Sequence, residues 1–142
     1  MEPDARNVLV DTGPLVASIN RRDQFHHWAK KVLAEVQLPL LTCESVVSEA
    51  CFLLRRWHGG QDGVMALLRD GLLHIPFRME DEADAVSALL KRYQSVPMAL
   101  ADACLVRMSE QIPESRILTL DSDFLIYRKN QDQVVPVIMP QR

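Results

Sequence analysis

One acidic residue, Asp102, lies in a segment whose other members are apolar. Residues 97–106 begin with a proline and contain no β-branched run, a pattern typical of a helix. The helical neighbours of Asp102, three and four positions away on either side, are all apolar: Met98, Ala99, Leu105 and Val106. We therefore predict that this carboxylate lies in the centre of a buried stripe. An unpaired charge is costly there, so the carboxylate needs a proton, a cationic partner or a metal ion.

Two further acids follow segments that are typical of buried strands. Residues 7–10 are largely apolar and end at Asp11, and residues 116–120 end at Asp121. Ligands of open α/β sheets bind beyond the carboxyl ends of the strands, so both acids would face one crevice if their strands are neighbours. A structural interpretation stays open for each, because either residue can cap the helix that follows it.

Glu49 completes a set of four candidate acids. It lies at the edge of the apolar face of a predicted helix. Asp11, Glu49, Asp102 and Asp121 can converge in an α/β fold, and four carboxylates cannot all stay ionised together without a cation. No histidine or cysteine with matching spacing accompanies them, and an all-oxygen donor set favours Mg²⁺ or Mn²⁺ over zinc.

The elements that would position these acids alternate between strand and helix patterns. Strands are predicted at 7–10, 38–41, 116–120 and 134–138, with a short strand or an extended link at 74–77. Helices are predicted at 15–19, 24–36, 42–57, 63–73, 80–94 and around Asp102. This alternation predicts a parallel sheet in a three-layer α/β domain. Because no repeat, linker or low-complexity segment divides the chain, we expect a single domain over residues 1–142.

Composition limits the function classes. The chain has 142 residues, of which 48% are hydrophobic and 25% charged, as in ordinary globular proteins. No apolar run approaches a bilayer span and no secretory signal opens the chain, so we expect no membrane association and a cytoplasmic location. The net charge of −3 gives no overall basic field. Cys43, Cys51 and Cys104 are widely spaced and are expected to be reduced core thiols.

Four segments resemble the motifs of the PIN domain family and occur in the family's order. They are residues 8–17, Ser48-Glu49, residues 101–105 and residues 118–124. The resemblance implies an α/β/α sandwich with a mainly parallel central sheet and an acidic pocket for Mg²⁺ or Mn²⁺. Because the last motif varies most within the family, the choice between Asp121 and Asp123 as its acid stays open.

The resemblance also implies an activity. Many single-domain members of this size are VapC-like toxins, which are ribonucleases of toxin–antitoxin pairs. It therefore implies a metal-dependent endoribonuclease with an RNA substrate, an antitoxin partner and a homodimeric assembly. The implied catalytic and metal-binding residues are Asp11, Glu49, Asp102 and Asp121. Separately from the resemblance, Thr12, Ser45 and Asp123 are candidate supporting residues.

Two surface features are candidate contacts with partners. Four basic pairs are candidate phosphate contacts: Arg21-Arg22, Lys30-Lys31, Arg55-Arg56 and Arg128-Lys129. Cys51 and Phe52 lie off the main apolar stripe of the 42–57 helix, which predicts an apolar surface for a partner.

Other function classes share parts of this pattern. A receiver-like phosphoryl acceptor also has acids at strand ends, but it requires an acidic pair after the first strand and a late lysine, whereas Asp11 stands alone. A PIN protein with a role other than that of a toxin would keep the acids and the metal. A catalytically silent interaction module would keep the fold and bind no metal.

Overall fold

A parallel sheet of five strands lies at the centre of the structure, a computed structural model that describes residues 7–141. The described chain forms the strands β1 (Val8–Val10), β2 (Leu40–Leu41), β3 (Leu73–His74), β4 (Arg116–Leu118), β5 (Arg128–Lys129), β6 (Gln133–Val134) and β7 (Val137–Ile138). The sheet order is β3-β2-β1-β4-β7, and β5 pairs with β6 as a separate antiparallel ribbon. The ends of the predicted domain, residues 1–6 and 142, lie outside the described residues.

Helices flank this sheet and give the three-layer α/β/α architecture predicted from the sequence. Within residues 7–141 they are α1 (Thr12–Ile19), α2 (His26–Glu35), α3 (Glu44–Leu53), α4 (Gly60–Arg69), α5 (Ala83–Arg92) and α6 (Leu100–Gln111). Helix α1 contacts α2, α3 and α4, whereas α5 packs on α6, and α6 packs on β1 and β4. Two short 3₁₀ helices cover Met79–Glu82 and Ser122–Leu125.

The two central strands bring their carboxyl ends side by side. Strands β1 and β4 pair in parallel, with Leu9 opposite Ile117. All three residues of β1 are fully buried, as expected for a strand that is covered on both faces. These strands are therefore neighbours, which is the condition that the sequence left open, and the loops that carry Asp11 and Asp121 leave the same edge of the sheet.

Several helix boundaries differ from the prediction. Helix α1 begins at Thr12 rather than at Leu15, with Asp11 as its N-cap, because the Asp11 carboxylate accepts the Thr12 N–H. Helix α3 ends at Leu53 instead of Trp57, since the chain continues in tight turns that bring Gly60 onto the Leu54 carbonyl. The predicted 80–94 helix is divided into a 3₁₀ turn and α5.

The prediction that Asp102 lies in the centre of a buried stripe is wrong. Helix α6 begins at Leu100, so Met98 and Ala99 precede it and Asp102 occupies the first turn. There its side chain is only partly buried. In the first turn of a helix, unpaired backbone N–H groups attract a carboxylate, which is a milder environment than the middle of an apolar face.

Strands near the carboxyl end are also shorter than predicted. The predicted 134–138 strand is divided into β6 and β7 around Pro136, which has no N–H to donate to a ladder. Strand β4 ends at Leu118, and the hydroxyl of the next residue, Thr119, donates to the Asp11 carboxylate.

The cysteines carry free thiols, with Cys43 and Cys104 buried as predicted. Among the described residues, no helix is long and apolar enough to cross a membrane.

Gly60 gives a test of the turn after α3. A Cβ added at Gly60 would lie 2.7 Å from the Leu54 carbonyl oxygen and 2.9 Å from the Leu54 Cβ, so the backbone would have to move. We expect Gly60→Ala to lower the free energy of unfolding by about 1–3 kcal/mol. Urea unfolding followed by circular dichroism measures this change.

Gly63, in the same helix, is the matched control. Its added Cβ would meet Ile19 at 3.5 Å, an ordinary contact. Gly63→Ala should therefore leave the protein equally stable or up to about 1 kcal/mol more stable, because alanine favours the helix. Equal loss of stability in both variants would contradict this description of the turn.

Candidate active site

The four predicted acids line one cavity at the carboxyl ends of β1 and β4. The cavity has a volume of about 390 Å³. Its lining comprises Asp11, Thr12, Gly13, Glu49, Leu53, Ala99, Ala101, Asp102, Leu120 and Asp121. The acids come from four parts of the chain: the β1–α1 junction, α3, the first turn of α6 and the loop after β4. The fold therefore brings together carboxylates that are far apart in sequence.

Asp11 is the most enclosed of these acids, with 7% of its surface exposed. Its Oδ1 accepts the Thr12 N–H at 2.8 Å, and its Oδ2 accepts the Thr119 hydroxyl at 2.7 Å. Burial raises the pKa of Asp11 from 3.8 to about 6, although both hydrogen bonds act in the opposite direction. The negative charges of Asp102 and Asp121 raise it further. Asp11 is thus held firmly in place, in surroundings that disfavour its charged form.

Asp102 is fixed by two donors at one oxygen. Its Oδ2 accepts the Ala99 N–H at 3.1 Å and the Tyr127 hydroxyl at 3.1 Å. Desolvation raises the pKa of Asp102, and the charges of Asp121 and Glu49 add to that increase. Since one carboxylate oxygen is held by the protein, the other is the one available to a ligand in the cavity.

Asp121 has both of the roles considered for it. Its carboxylate accepts the Asp123 N–H at 2.9 Å and caps the 3₁₀ helix, and its side chain also lines the cavity. Asp123 is not among the lining residues. Glu49 is exposed on α3 and reaches the cavity from that side. The structure therefore places Asp121, rather than Asp123, with the other three acids.

The three supporting residues occupy different positions. Thr12 lines the cavity, and its buried hydroxyl has no hydrogen-bond partner within the described part of the chain. Ser45 lies in an adjoining groove that shares Glu49, Ala99 and Ala101 with the cavity. Only Thr12 of this set therefore lies among the acids.

Two residues that hold the acids were not identified from the sequence. The Thr119 hydroxyl donates to Asp11 and accepts the Asp121 N–H at 2.9 Å, so it connects two of the acids. The sequence feature that could have identified Thr119 is its place as a polar residue between the apolar Leu118 and Leu120 of a predicted strand. Tyr127, fully buried, donates to Asp102.

Aromatic packing orients the Tyr127 ring. It makes edge-to-face contacts with Tyr93 and Phe124 at centroid distances of 5.1 Å and 5.2 Å. Burial and the nearby Asp102 carboxylate raise the pKa of Tyr127, so the phenol stays protonated and remains a donor. No local sequence pattern indicated this contact, because an aromatic residue at such a position is ordinarily part of a core.

The four acids have no cationic partner in the described structure. Arg107, on the same helix as Asp102, is paired with Glu82 at 2.7 Å and with Glu110 at 3.2 Å. None of the ion pairs formed within residues 7–141 includes a cavity acid. A divalent cation would therefore offset charge that the protein leaves uncompensated.

The donor chemistry fits a hard divalent cation. Every charged group that lines the cavity is a carboxylate, and the unpaired Thr12 hydroxyl adds another oxygen. No group of three or more His, Cys, Asp or Glu side chains in the described range is tight enough to form a ready metal centre. Glu49, which is exposed on α3, would therefore need to move toward the acids that the fold holds in place when a cation binds.

The chain resembles known proteins in sequence and in fold. The sequence profile of the PIN domain matches residues 8–130. The fold is similar to the crystal structure of VapC20 from Mycobacterium tuberculosis, described as a toxin that cleaves the sarcin-ricin loop, with a TM-score of 0.71 and 22% identity. The alignment covers 82% of this chain and 92% of that one. No curated protein matches the sequence significantly.

The raised pKa of Asp11 predicts a pH-dependent stability. Between its unfolded pKa of 3.8 and its folded pKa of about 6, the unfolded chain loses its proton first. Rising pH therefore lowers the stability of the metal-free protein across this window. Asp11→Asn removes the effect, so its stability relative to the parent should increase by about 2–3 kcal/mol between pH 4 and pH 7.

Urea unfolding at several pH values in EDTA measures this difference. Asp123→Asn, which removes an acid outside the cavity lining, is the control and should follow the parent protein. Parallel pH profiles for the parent and Asp11→Asn would contradict the unfavourable burial of the Asp11 charge.

Proposed function

The chain belongs to the PIN domain family, and from this premise we propose that it is a metal-dependent endoribonuclease that hydrolyses phosphodiester bonds of RNA. The observation that carries the proposal is the shared cavity of Asp11, Glu49, Asp102 and Asp121. Its most buried carboxylate has no cationic partner among the described residues, although two other acids are close enough to raise its pKa. Such a site favours a divalent cation and, through it, a phosphate group.

Asp11, Glu49, Asp102 and Asp121 are the proposed ligands of Mg²⁺ or Mn²⁺. When bound, such an ion lowers the pKa of a coordinated water and offsets negative charge at the scissile phosphate. The protein's part is to hold the carboxylates in position. Thr119 and the Thr12 N–H fix Asp11, while Tyr127 and the Ala99 N–H fix one oxygen of Asp102.

No covalent intermediate with the protein is needed in this proposal. Among the described residues, the cavity lining contains no serine, cysteine or histidine, and Thr12 contributes its only hydroxyl. Because the Thr12 hydroxyl is buried and lacks a base as a hydrogen-bond partner within the described chain, we assign it to the support of a ligand rather than to nucleophilic attack. Hydrolysis by water is the reaction that these side chains support best.

The biological role that we propose is that of a toxin in a type II toxin–antitoxin pair. The similarity in fold to VapC20 supports it, and the sarcin-ricin loop is consequently the first RNA to test. A ribonuclease toxin would act in the cytoplasm, the location predicted from the composition. A PIN protein with another role would cleave RNA as well, but no antitoxin would suppress its activity.

An apolar surface beside the cavity is the proposed site of assembly. Phe52 is 59% exposed, Leu53 49% and Leu100 43%. Phe52 and Leu100 line the groove that adjoins the acidic cavity. A homodimer or an antitoxin segment would remove this apolar area from water.

Substitution of the acids tests the proposed chemistry. If the carboxylates act as one metal-binding unit, Asp11→Asn and Asp102→Asn should each reduce RNA cleavage by roughly a hundredfold or more, and the double variant should lose little more. Asp121→Asn should be more damaging than Asp123→Asn, because only Asp121 lines the cavity. The assay is Mg²⁺-dependent digestion of a sarcin-ricin loop hairpin and of mixed structured RNAs.

Two controls separate chemistry from folding. Circular dichroism of every variant shows whether a loss of cleavage follows a loss of folded protein, and EDTA removes the metal. Full cleavage in EDTA, or by folded Asp102→Asn, would contradict the mechanism. A silent interaction module would instead show no metal-dependent cleavage of any RNA and no binding of Mn²⁺.

A further inference from the structure

A second cavity, of about 410 Å³, lies where the end of α1 meets the turn after α3. Its lining comprises Ile19, Asn20, Arg21, Arg22, Trp57, His58, Gly59 and Gly60. We call it the Arg-Trp cavity. Within residues 7–141 its lining contains two arginines, a histidine and a tryptophan but no acidic residue, so its charge is opposite to that of the first cavity. In a chain with a net charge of −3, this is a local concentration of positive charge.

The indole of Trp57 is partly open to solvent. Trp57 is 39% exposed, although the Arg22 guanidinium lies 5.7 Å from the centroid of the Trp57 ring. The backbone N–H of Arg22 donates to Asn20 Oδ1 at 3.0 Å, and this hydrogen bond fixes the loop that carries the arginines. An aromatic surface flanked by a guanidinium group is suited to stacking of a nucleobase.

The two arginines are available for a ligand. Neither Arg21 nor Arg22 forms an ion pair with an acidic side chain within the described residues. Both are exposed. Guanidinium groups bind phosphate oxygens through paired N–H donors, and contacts of this kind hold a nucleic acid in register.

Two elements connect the Arg-Trp cavity to the acidic cavity. Helix α1 begins at Thr12 in the acidic cavity and ends at Ile19 in the Arg-Trp cavity, and its eight residues span roughly 12 Å. Leu53, at the end of α3, lines the acidic cavity, and Trp57 follows four residues later. Because α1 packs against α3, an RNA strand bound across the acids can extend along these two helices to the Arg-Trp cavity.

We propose that the Arg-Trp cavity binds a nucleotide of the RNA substrate outside the cleavage site. Trp57 stacks on the base, and Arg21 and Arg22 contact the flanking phosphates. The inference rests on the proposed ribonuclease function, and it adds a positioning site for the same RNA. An acidic protein segment would also attract the arginines, but it has no base to stack on the open indole.

Binding of labelled RNA to Asp11→Asn protein tests the base contact without cleavage. The probes are a fluorescein-labelled single-stranded RNA dodecamer of mixed sequence and a labelled sarcin-ricin loop hairpin, measured by fluorescence anisotropy in Mg²⁺. Trp57→Ala should weaken binding about tenfold or more, whereas Trp57→Phe, which keeps an aromatic face, should stay within about threefold of the parent. RNA should also quench tryptophan emission in the parent and much less in Trp57→Phe, where Trp28 is the remaining tryptophan.

The salt dependence of binding tests the interaction with phosphates. Removing the cation that neutralises one phosphate should reduce the slope of log K against log salt by about 0.7 for a single strand. Arg21→Gln with Arg22→Gln should therefore flatten the slope by about 0.7 to 1.4. Arg69→Gln with Lys91→Gln removes the same charge from exposed positions of α4 and α5, outside both cavities, and should leave the slope unchanged.

The outcomes separate this site from the ribonuclease itself. If the parent binds RNA and folded Trp57→Ala binds it as tightly, the Arg-Trp cavity is not a nucleotide site. Equal flattening of the salt slope by both double variants would lead to the same conclusion. In either case the proposed ribonuclease activity is unaffected. If Asp11→Asn protein binds neither RNA, the nucleotide site is overturned, and the cleavage assay on the unsubstituted protein decides the proposed activity separately. Capture of acidic peptides by the parent, without RNA binding, would assign the cavity to a protein partner and overturn the inference.

Discussion

The structure depends on one buried carboxylate at the end of its central strand. Asp11 follows β1 directly, and it is enclosed by the first turn of α1 and by Thr119 of the neighbouring loop. Placing a charge there is unfavourable, as its raised pKa shows. Further acids lie around this buried carboxylate, an arrangement that a purely structural capping residue would not require. Binding of a cation among these acids would offset the unfavourable charge and explain why the acids lie together.

The acids of the cavity have structural and chemical roles at once. Asp11 caps α1, Asp121 caps the 3₁₀ helix after β4, and Asp102 accepts a backbone N–H at the start of α6. In each case the fold holds the carboxylate through a local hydrogen bond while its side chain lines the cavity. The structural interpretations considered for Asp11 and Asp121 are therefore correct without excluding their place in the site. Rigid attachment of this kind reduces the entropic cost of binding a ligand.

Much of this arrangement is predictable from local sequence, because strands and their ends are local features. The alternation of strands and helices predicted the parallel sheet, and the buried apolar segments that stop at Asp11 and Asp121 predicted that both acids lie at strand ends. The predicted start of α6 was wrong, since Pro97 precedes the helix by three residues and therefore does not mark its first turn. Thr119 and Tyr127 were missed because their contacts span 108 and 25 residues, and no periodic pattern encodes such pairs. The Arg-Trp cavity likewise needs the turn after α3, which the sequence suggested to be helical.

The central claim is that the carboxylates at the end of β1 form a binding site for a divalent cation. Anomalous diffraction from crystals grown with millimolar Mn²⁺ tests it most directly, because the signal locates the ion independently of any activity. We predict a peak inside the acidic cavity, in contact with the Asp11 carboxylate and at least one of Glu49, Asp102 and Asp121. Well-ordered crystals with no anomalous peak in that cavity, or with peaks only at surface acids elsewhere, would contradict the claim.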